Sequence, residues 1–296
     1  MKEVQEISAG AAPLLDQGIE ECWMDLDGAR MRYLRAGSGQ PLILLHGLFA
    51  YSFSWRYTLP ALVPYATLYA PDMLGAGFSD RPPGLDHSMR GTARRVLRFA
   101  DKLGLSSFDL LGTSRGGAVA MAVAAECVKE NPCRLRKLVL VCPVNPYSPH
   151  GRMLAPLFAT PAGAAGFRWA TAHVPSLFPF FHGRLYADRS KIPPDSLEGY
   201  KAPQAIPGWV EHGLRIVQTW TADLKELETL LPKLKAVRTL LMWGDKDPAV
   251  YVSSMRELAR HFSSVQTVVF PGIGHLPYEE CSEEFNRELI RFLKQE

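Results

Sequence analysis

The sequence is short of the features that would take it out of the ordinary globular class. Only five of its 296 residues are cysteine (Cys22, Cys127, Cys133, Cys142, Cys281), an odd number with no C-x-x-C pair. Thiols scattered in this way exclude a disulfide-stapled mini-protein and suit a reduced, cytoplasmic setting. Long apolar runs are missing too. The most apolar stretch, Ala118 to Val128, is broken by Glu126 and is too short to span a bilayer, so no membrane span is expected. Met1 to Asp16 has no apolar h-region, and no secretory signal is expected there. An excess of one charge sign is absent: the formal net charge is +3, with both signs scattered. Nucleic acid is therefore not an expected partner, and the basic run Arg134, Arg136, Lys137 reads as a solvated entry to a strand. There is no internal repeat and no low-complexity tract.

What is present is a chain that is 47% hydrophobic and 21% charged, with 24 glycines and 23 prolines, enough to bury a large core. Glu21–Asp27 and Met31–Ala36, joined at Asp27-Gly28, read as an opening hairpin, since Asp-Gly is a strong tight-turn signal. Six short apolar runs follow: Pro41–Leu45, Ala66–Ala70, Phe108–Leu111, Lys137–Val141, Arg238–Trp243 and Gln266–Phe270. Their content of Leu, Val, Ile and aromatics predicts strands covered on both faces. Between them lie helical patterns at Gly91–Leu103, Gly116–Val128, Val252–His261 and Ser282–Lys294. The alternation predicts an α/β fold with a mostly parallel sheet.

One region departs from the alternation. Residues 144–235 contain no convincing strand, hold 11 of the 23 prolines, and carry Phe158, Phe167, Trp169, Phe178, Phe180, Phe181 and Tyr186. Short, proline-broken helices laid over the sheet account for this, and the division expected is 1–143 and 236–296 as one core with 144–235 inserted as a lid.

The chemistry concentrates in three places. Gly112-Thr-Ser114-Arg-Gly116 stands between an apolar strand and a long Ala/Val-rich helix. A serine on so sharp a strand-to-helix turn needs tiny residues two before and two after it, and the turn lifts the hydroxyl clear of the sheet toward the helix N-terminus. A phosphate-binding loop is excluded by the lack of Gly-Lys-Ser/Thr. Such a hydroxyl needs a base, and His275, in Gly272-Ile-Gly-His275 after the last strand, is the best placed of eight histidines. The base needs an acid to orient it. Asp245 and Asp247 compete for that role; Asp245 directly follows Gly244 and suits a turn, so Asp247 is favoured. His87, His150, His173, His182, His212 and His261 are assigned to surface or lid packing, and His46 to a structural hydrogen bond at a strand end. With no i, i+4 histidine pair, neither metal nor other cofactor is expected. Backbone N–H groups for an oxyanion are expected from Arg115, after the nucleophile, and from Leu48 in His46-Gly47-Leu48-Phe49, with Phe49 as the second choice of donor or lining the substrate pocket.

These pieces, together with Ala70-Pro-Asp72-Met-Leu-Gly75-Ala-Gly77-Phe-Ser79-Asp80 and Trp243-Gly-Asp-Lys-Asp247, stand in the order Ser…acid…His and resemble the α/β-hydrolase superfamily from about Glu21 to Glu296. The resemblance implies an eight-stranded sheet with a helical cap after strand six. Serine at position 114 argues against epoxide hydrolases and haloalkane dehalogenases, which attack alkyl carbon through a carboxylate. Cleavage of small to medium apolar carboxylic esters through an acyl-enzyme is the expected activity. Three alternatives remain open: C–C hydrolases of meta-cleavage products, whose tryptophan after the histidine is Leu276 here, cofactor-free perhydrolases, and a non-enzymatic ligand receptor on the same fold.

Overall fold

The Asp27-Gly28 dipeptide folds as its chemistry requires. Both residues take positive φ (64° and 81°), and Leu26 and Ala29 exchange backbone hydrogen bonds across them, closing a two-residue hairpin. This is seen in a computed structural model that describes residues 18–295, so the reading of Met1 to Asp16 lies outside the described residues. The hairpin joins β1 (Glu20–Asp25) to β2 (Arg30–Ala36).

The apolar runs become strands: β3 (Pro41–Leu45), β4 (Thr67–Pro71), β5 (Phe108–Thr113), β6 (Leu135–Val141), β7 (Thr239–Gly244) and β8 (Val265–Phe270). They form one eight-stranded sheet in the order β1-β2-β4-β3-β5-β6-β7-β8. β1 and β2 pair antiparallel, as do β2 and β4; every other pairing is parallel. β5 and β7 are buried along their whole length, the expected result for parallel strands with helices on both faces.

The helices that cover the core strands follow from the apolar periodicity. After α1 (Leu59–Leu62), α2 (Met89–Lys102) starts where Ser88 accepts a hydrogen bond from the Gly91 amide and buries Ala93, Val96, Phe99 and Ala100. α3 (Arg115–Glu130) is buried on nearly all sides, because it lies between the sheet and other helices. Between β6 and β7 the described residues form helices and no strand: α4 (His150–Ala159), α5 (Pro161–His173), α6 (Leu177–Gly183), α7 (Ser196–Lys201) and the long α8 (Trp209–Leu230). Pro161 occupies the first turn of α5, where its missing N–H costs nothing, and Thr160 caps the same turn. The chain closes with α9 (Ser253–Ala259), α10 (Pro277–Glu280) and α11 (Ser282–Lys294).

One expectation is overturned. Lys137 is no solvated strand entry: it is 2% exposed. Its ammonium donates to the carbonyls of Leu293 (2.7 Å) and Phe292 (3.4 Å) and to that of Gln295, so it satisfies the end of α11. A cation is favoured at a helix C-terminus, where the last carbonyls lack intrahelical partners. No helix among the described residues is long and apolar enough to cross a membrane.

Candidate active site

Ser114 links β5 to α3 with φ 52° and ψ −122°, a backbone region that costs a non-glycine residue of order 1–3 kcal/mol. The small neighbours explain how the turn fits. A Cβ on Gly112 would lie 2.3 Å from the Gly116 carbonyl oxygen, and one on Gly116 would lie 2.3 Å from that of His46. Ser114 donates its amide to Val141 O and accepts at its carbonyl from Gly117, Ala118 and Val144, which fixes the elbow on both sides. Arg115 supplies the first N–H of α3, one of the donors a helix cannot satisfy internally.

The loop after β3 runs against this elbow. Gly47 is so close that a Cβ there would sit 3.2 Å from the Ser114 Cβ. His46 is buried, with Nδ1 donating to Gly47 O (2.8 Å) and Nε2 accepting from the Met73 amide (3.0 Å). Burial lowers its pKa, so the imidazole is neutral and its role is to hold the loop. Leu48 and Phe49 follow, both partly exposed, and Phe49 takes a positive φ of 56°. That strain turns its ring toward α8, with centroids 4.6 Å from Trp209 and 6.2 Å from Phe167, and onto Gly213, whose missing side chain leaves room for it.

Asp247 and His275 are brought together. Both are buried, and His275 Nδ1–H donates to Asp247 Oδ2 at 2.8 Å. Asp247 Oδ1 in turn accepts from the amides of Ala249 (2.8 Å) and Val250 (2.9 Å). Its competitor Asp245 does a turn former's work, taking the Gly272 amide at 2.7 Å and thereby tying the loop after β7 to the loop after β8. Ser114, Asp247 and His275 thus follow the carboxyl ends of β5, β7 and β8, on one edge of the sheet. The histidine loop is clamped from the helical region: the His275 amide donates to Leu185 O (2.7 Å), and Glu280 accepts from the amides of Gly274, Ala187 and Asp188.

The expected aromatic cluster divides. Phe167 and Trp209 approach Phe49, Phe158 packs on Phe167 and Phe178 on Trp209, whereas Trp169, Phe180 and Phe181 are exposed and Tyr186 is buried in a polar network. That network centres on Glu279, which accepts from Arg56 Nη2 (2.8 Å), Tyr186 (2.7 Å), Ser196 (2.9 Å) and Tyr200. Burial alone would push the Glu279 carboxyl up; the Arg56 guanidinium and the hydroxyl donors outweigh it and hold the group below the usual carboxylate range. Nothing in the local pattern around Glu279 marks it, because its partners lie 79 to 223 residues away. Cys142 was likewise invisible as a site residue, being one unremarkable thiol at a strand end. Asp72 is a third buried acid, binding Arg32 (3.2 Å) and the amides of Ser52 and Phe78; it organises the turn that the glycines and Ser79 suggested.

A mostly parallel sheet with a strained serine elbow after one strand and an Asp–His pair after two others is the layout of a hydrolase-type fold. The comparisons agree. A family model described as the alpha/beta hydrolase fold matches residues 40–281, and the chain belongs to that family. It is 38% identical over 279 residues to haloalkane dehalogenase 2 of Mycobacterium tuberculosis, covering 92% of this chain and 94% of that protein. It is 26% identical to 2-hydroxymuconate semialdehyde hydrolase of Pseudomonas sp., covering 87% and 88% of the two chains. Among solved structures, the epoxide hydrolase CorEH superposes with a TM-score of 0.81 at 22% identity, over 93% of this chain and 98% of that one.

Proposed function

We propose that the protein is a serine hydrolase that cleaves carboxylic esters of small to medium apolar substrates through an acyl-enzyme. The observation that carries this reading is a strained Ser114 elbow and a buried, hydrogen-bonded Asp247–His275 pair at the same, carboxyl edge of the sheet. Ser114 Oγ attacks the ester carbonyl while His275 Nε2 takes its proton; Asp247 holds the ring so that Nε2 is the free nitrogen. The N–H groups of Leu48 and Arg115 stabilise the oxyanion, and His275 returns the proton to the departing alcohol. Water, activated by the same histidine, then releases the acid. The residues 144–235 act as a cap, with Phe49, Phe167, Phe178 and Trp209 forming an aromatic wall that favours apolar groups. No metal or other cofactor takes part in these steps.

Two of the relatives are named for cleaving other bonds, and the nucleophile separates them. A serine oxygen that displaced halide from carbon would leave an alkyl ether, which offers water no carbonyl to attack, so dehalogenation could not turn over. C–C hydrolysis is compatible with a serine, and the 26% identity to a semialdehyde hydrolase supports it as a second reading. The test is hydrolysis of nitrophenyl esters of increasing acyl length by the wild type, Ser114→Ala and Asp247→Asn, with a fluorophosphonate label alongside. Ser114→Ala is expected to lose at least ~10³-fold in kcat and all labelling, and Asp247→Asn about 10²–10⁴-fold in kcat. Undiminished turnover in Ser114→Ala overturns the mechanism, and turnover of a dienol keto acid without any simple ester favours C–C cleavage.

A further inference from the structure

Beside the Asp247–His275 pair stands a group that the mechanism above leaves idle. Cys142 is the first residue after β6; its side chain is fully buried, and it takes a positive φ of 43°. The left-handed region is sparsely used by residues other than glycine, asparagine and aspartate, so the chain holds this side chain in place at a cost. Its Sγ, an Asp247 carboxylate oxygen and a His275 ring nitrogen lie within 4.8 Å of one another. The thiol therefore stands next to the Asp247 carboxylate, at the end of the strand that pairs with β7. Burial, and then the Asp247 charge, push the thiol well above its ordinary value, so it is a neutral S–H donor.

Counting the acceptor sites of Asp247 shows what the thiol adds. Oδ1 takes the Ala249 and Val250 amides, and Oδ2 takes His275 Nδ1–H. A carboxylate has about four lone-pair sites, so one is left for a further donor. We propose that Cys142 is a positioning residue for the triad: its S–H completes the shell of Asp247 and sets how much of the carboxylate charge reaches His275. A thiol is a weak donor. A hydroxyl in its place would draw more charge away from the imidazole, and a methyl would draw none. The other titratable groups facing Cys142 come from the segment after the histidine, Tyr278 and Cys281, and burial keeps both neutral, Cys281 being pushed up to about 12. On the acid's own loop, Asp245 is occupied by the Gly272 amide and Lys246 lies 3.9 Å from Asp245. The Asp247–Cys142 contact is therefore the one whose alteration changes the acid without adding or removing a charge.

The inference rests on the serine-hydrolase reading, and the test separates the two. The second-order rate of Ser114 labelling by a fluorophosphonate is measured against pH for the wild type, Cys142→Ser and Cys142→Ala, each checked for folding by circular dichroism. The apparent pKa of the histidine limb is expected to rise by about 0.3–0.5 in Cys142→Ala and to fall by a similar amount in Cys142→Ser. A residue that only fills space would leave that midpoint unmoved in both. Label with the same midpoint in all three proteins, or with both variants shifted in one direction, overturns the positioning role. If Cys142→Ala does not fold, the sign of the Cys142→Ser shift decides alone. A wild type that takes no label at any pH overturns the serine-hydrolase reading itself, and the positioning role with it.

Discussion

Ser114 concentrates the conflict between stability and chemistry in one residue. Its φ of 52° with ψ −122° suits glycine, yet glycine has no hydroxyl. Ser114→Gly should remove the strain, about 1–3 kcal/mol, and should give back roughly 0.5–1 kcal/mol of that through the greater freedom of glycine in the unfolded chain. The expected outcome in urea unfolding is a variant more stable than the wild type by about 1 kcal/mol and unable to accept a fluorophosphonate. Ser114→Ala, which keeps a Cβ, should match the wild type in stability while losing the same label. A Ser114→Gly variant less stable than Ser114→Ala would show that the elbow is not strained. The flanking glycines carry the other half of the argument: Gly112 and Gly116 are small because carbonyl oxygens stand 2.3 Å from where their Cβ atoms would be.

At the scale of elements, the apolar runs placed the inner parallel strands, because a strand buried on both faces leaves an unbroken apolar signature; β8, read as covered on both faces, is instead a half-exposed edge strand, with Gln266, Thr267 and Val269 facing solvent. β3 (Pro41–Leu45) and α11 (Ser282–Lys294) have the bounds the periodicity suggests, and the Asp-Gly hairpin forms where the turn chemistry puts it. Ser114, Asp247 and His275 stood out for a local reason, each lying within five residues of the end of an apolar run. What stayed hidden depends on distant partners. Lys137 looked solvated because a basic residue at a strand start usually is; only the arrival of α11 makes it a cap. Asp109 is the companion case, a buried acid inside β5 with Oδ1 unpartnered among the described residues. Burial pushes its carboxyl up to about 6, and Arg136 and Lys137 pull it only part of the way back. A carboxyl raised above its unfolded value contributes stability that is complete below about pH 4 and is lost as the pH rises through about 6. Asp109→Asn should flatten that loss and leave the variant more stable than the wild type by about 1–3 kcal/mol at pH 7, with little difference at pH 4. Urea unfolding at four pH values between these limits checks it, and an equal offset at every pH would defeat the assignment.

For the molecule as a whole, the question is what holds the helices between β6 and β7 onto the sheet. Glu279 is the junction. It lies four residues beyond His275 in α10, is buried, and is reached by Arg56 from the core and by Tyr186, Ser196 and Tyr200 from the helical region, while Asp195 takes the other side of Arg56 at 2.8 Å. Breaking a buried ion pair is costly, so Glu279→Ala should cost about 3 kcal/mol, the low end of the usual range because Asp195 still pairs with Arg56. The double variant Arg56→Met, Glu279→Leu should recover part of this, since it strands no charge. Recovery is incomplete because three hydroxyls lose their acceptor, each worth roughly 1 kcal/mol. The pH dependence has the opposite sign to that of Asp109. A carboxyl held below its unfolded value contributes stability above that value and loses it as the pH falls through the folded one, so the wild type should weaken in acid, below the usual carboxylate range, by more than the double variant does. Because Glu279 stands so close in sequence to His275, the proposed activity should begin to fail in acid before global unfolding, as the helices lift from the histidine loop. Limited proteolysis of residues 144–235, followed against tryptophan fluorescence over the same pH range, tests this: cleavage that only tracks global unfolding would show that Glu279 holds the fold together without fastening these helices to the sheet.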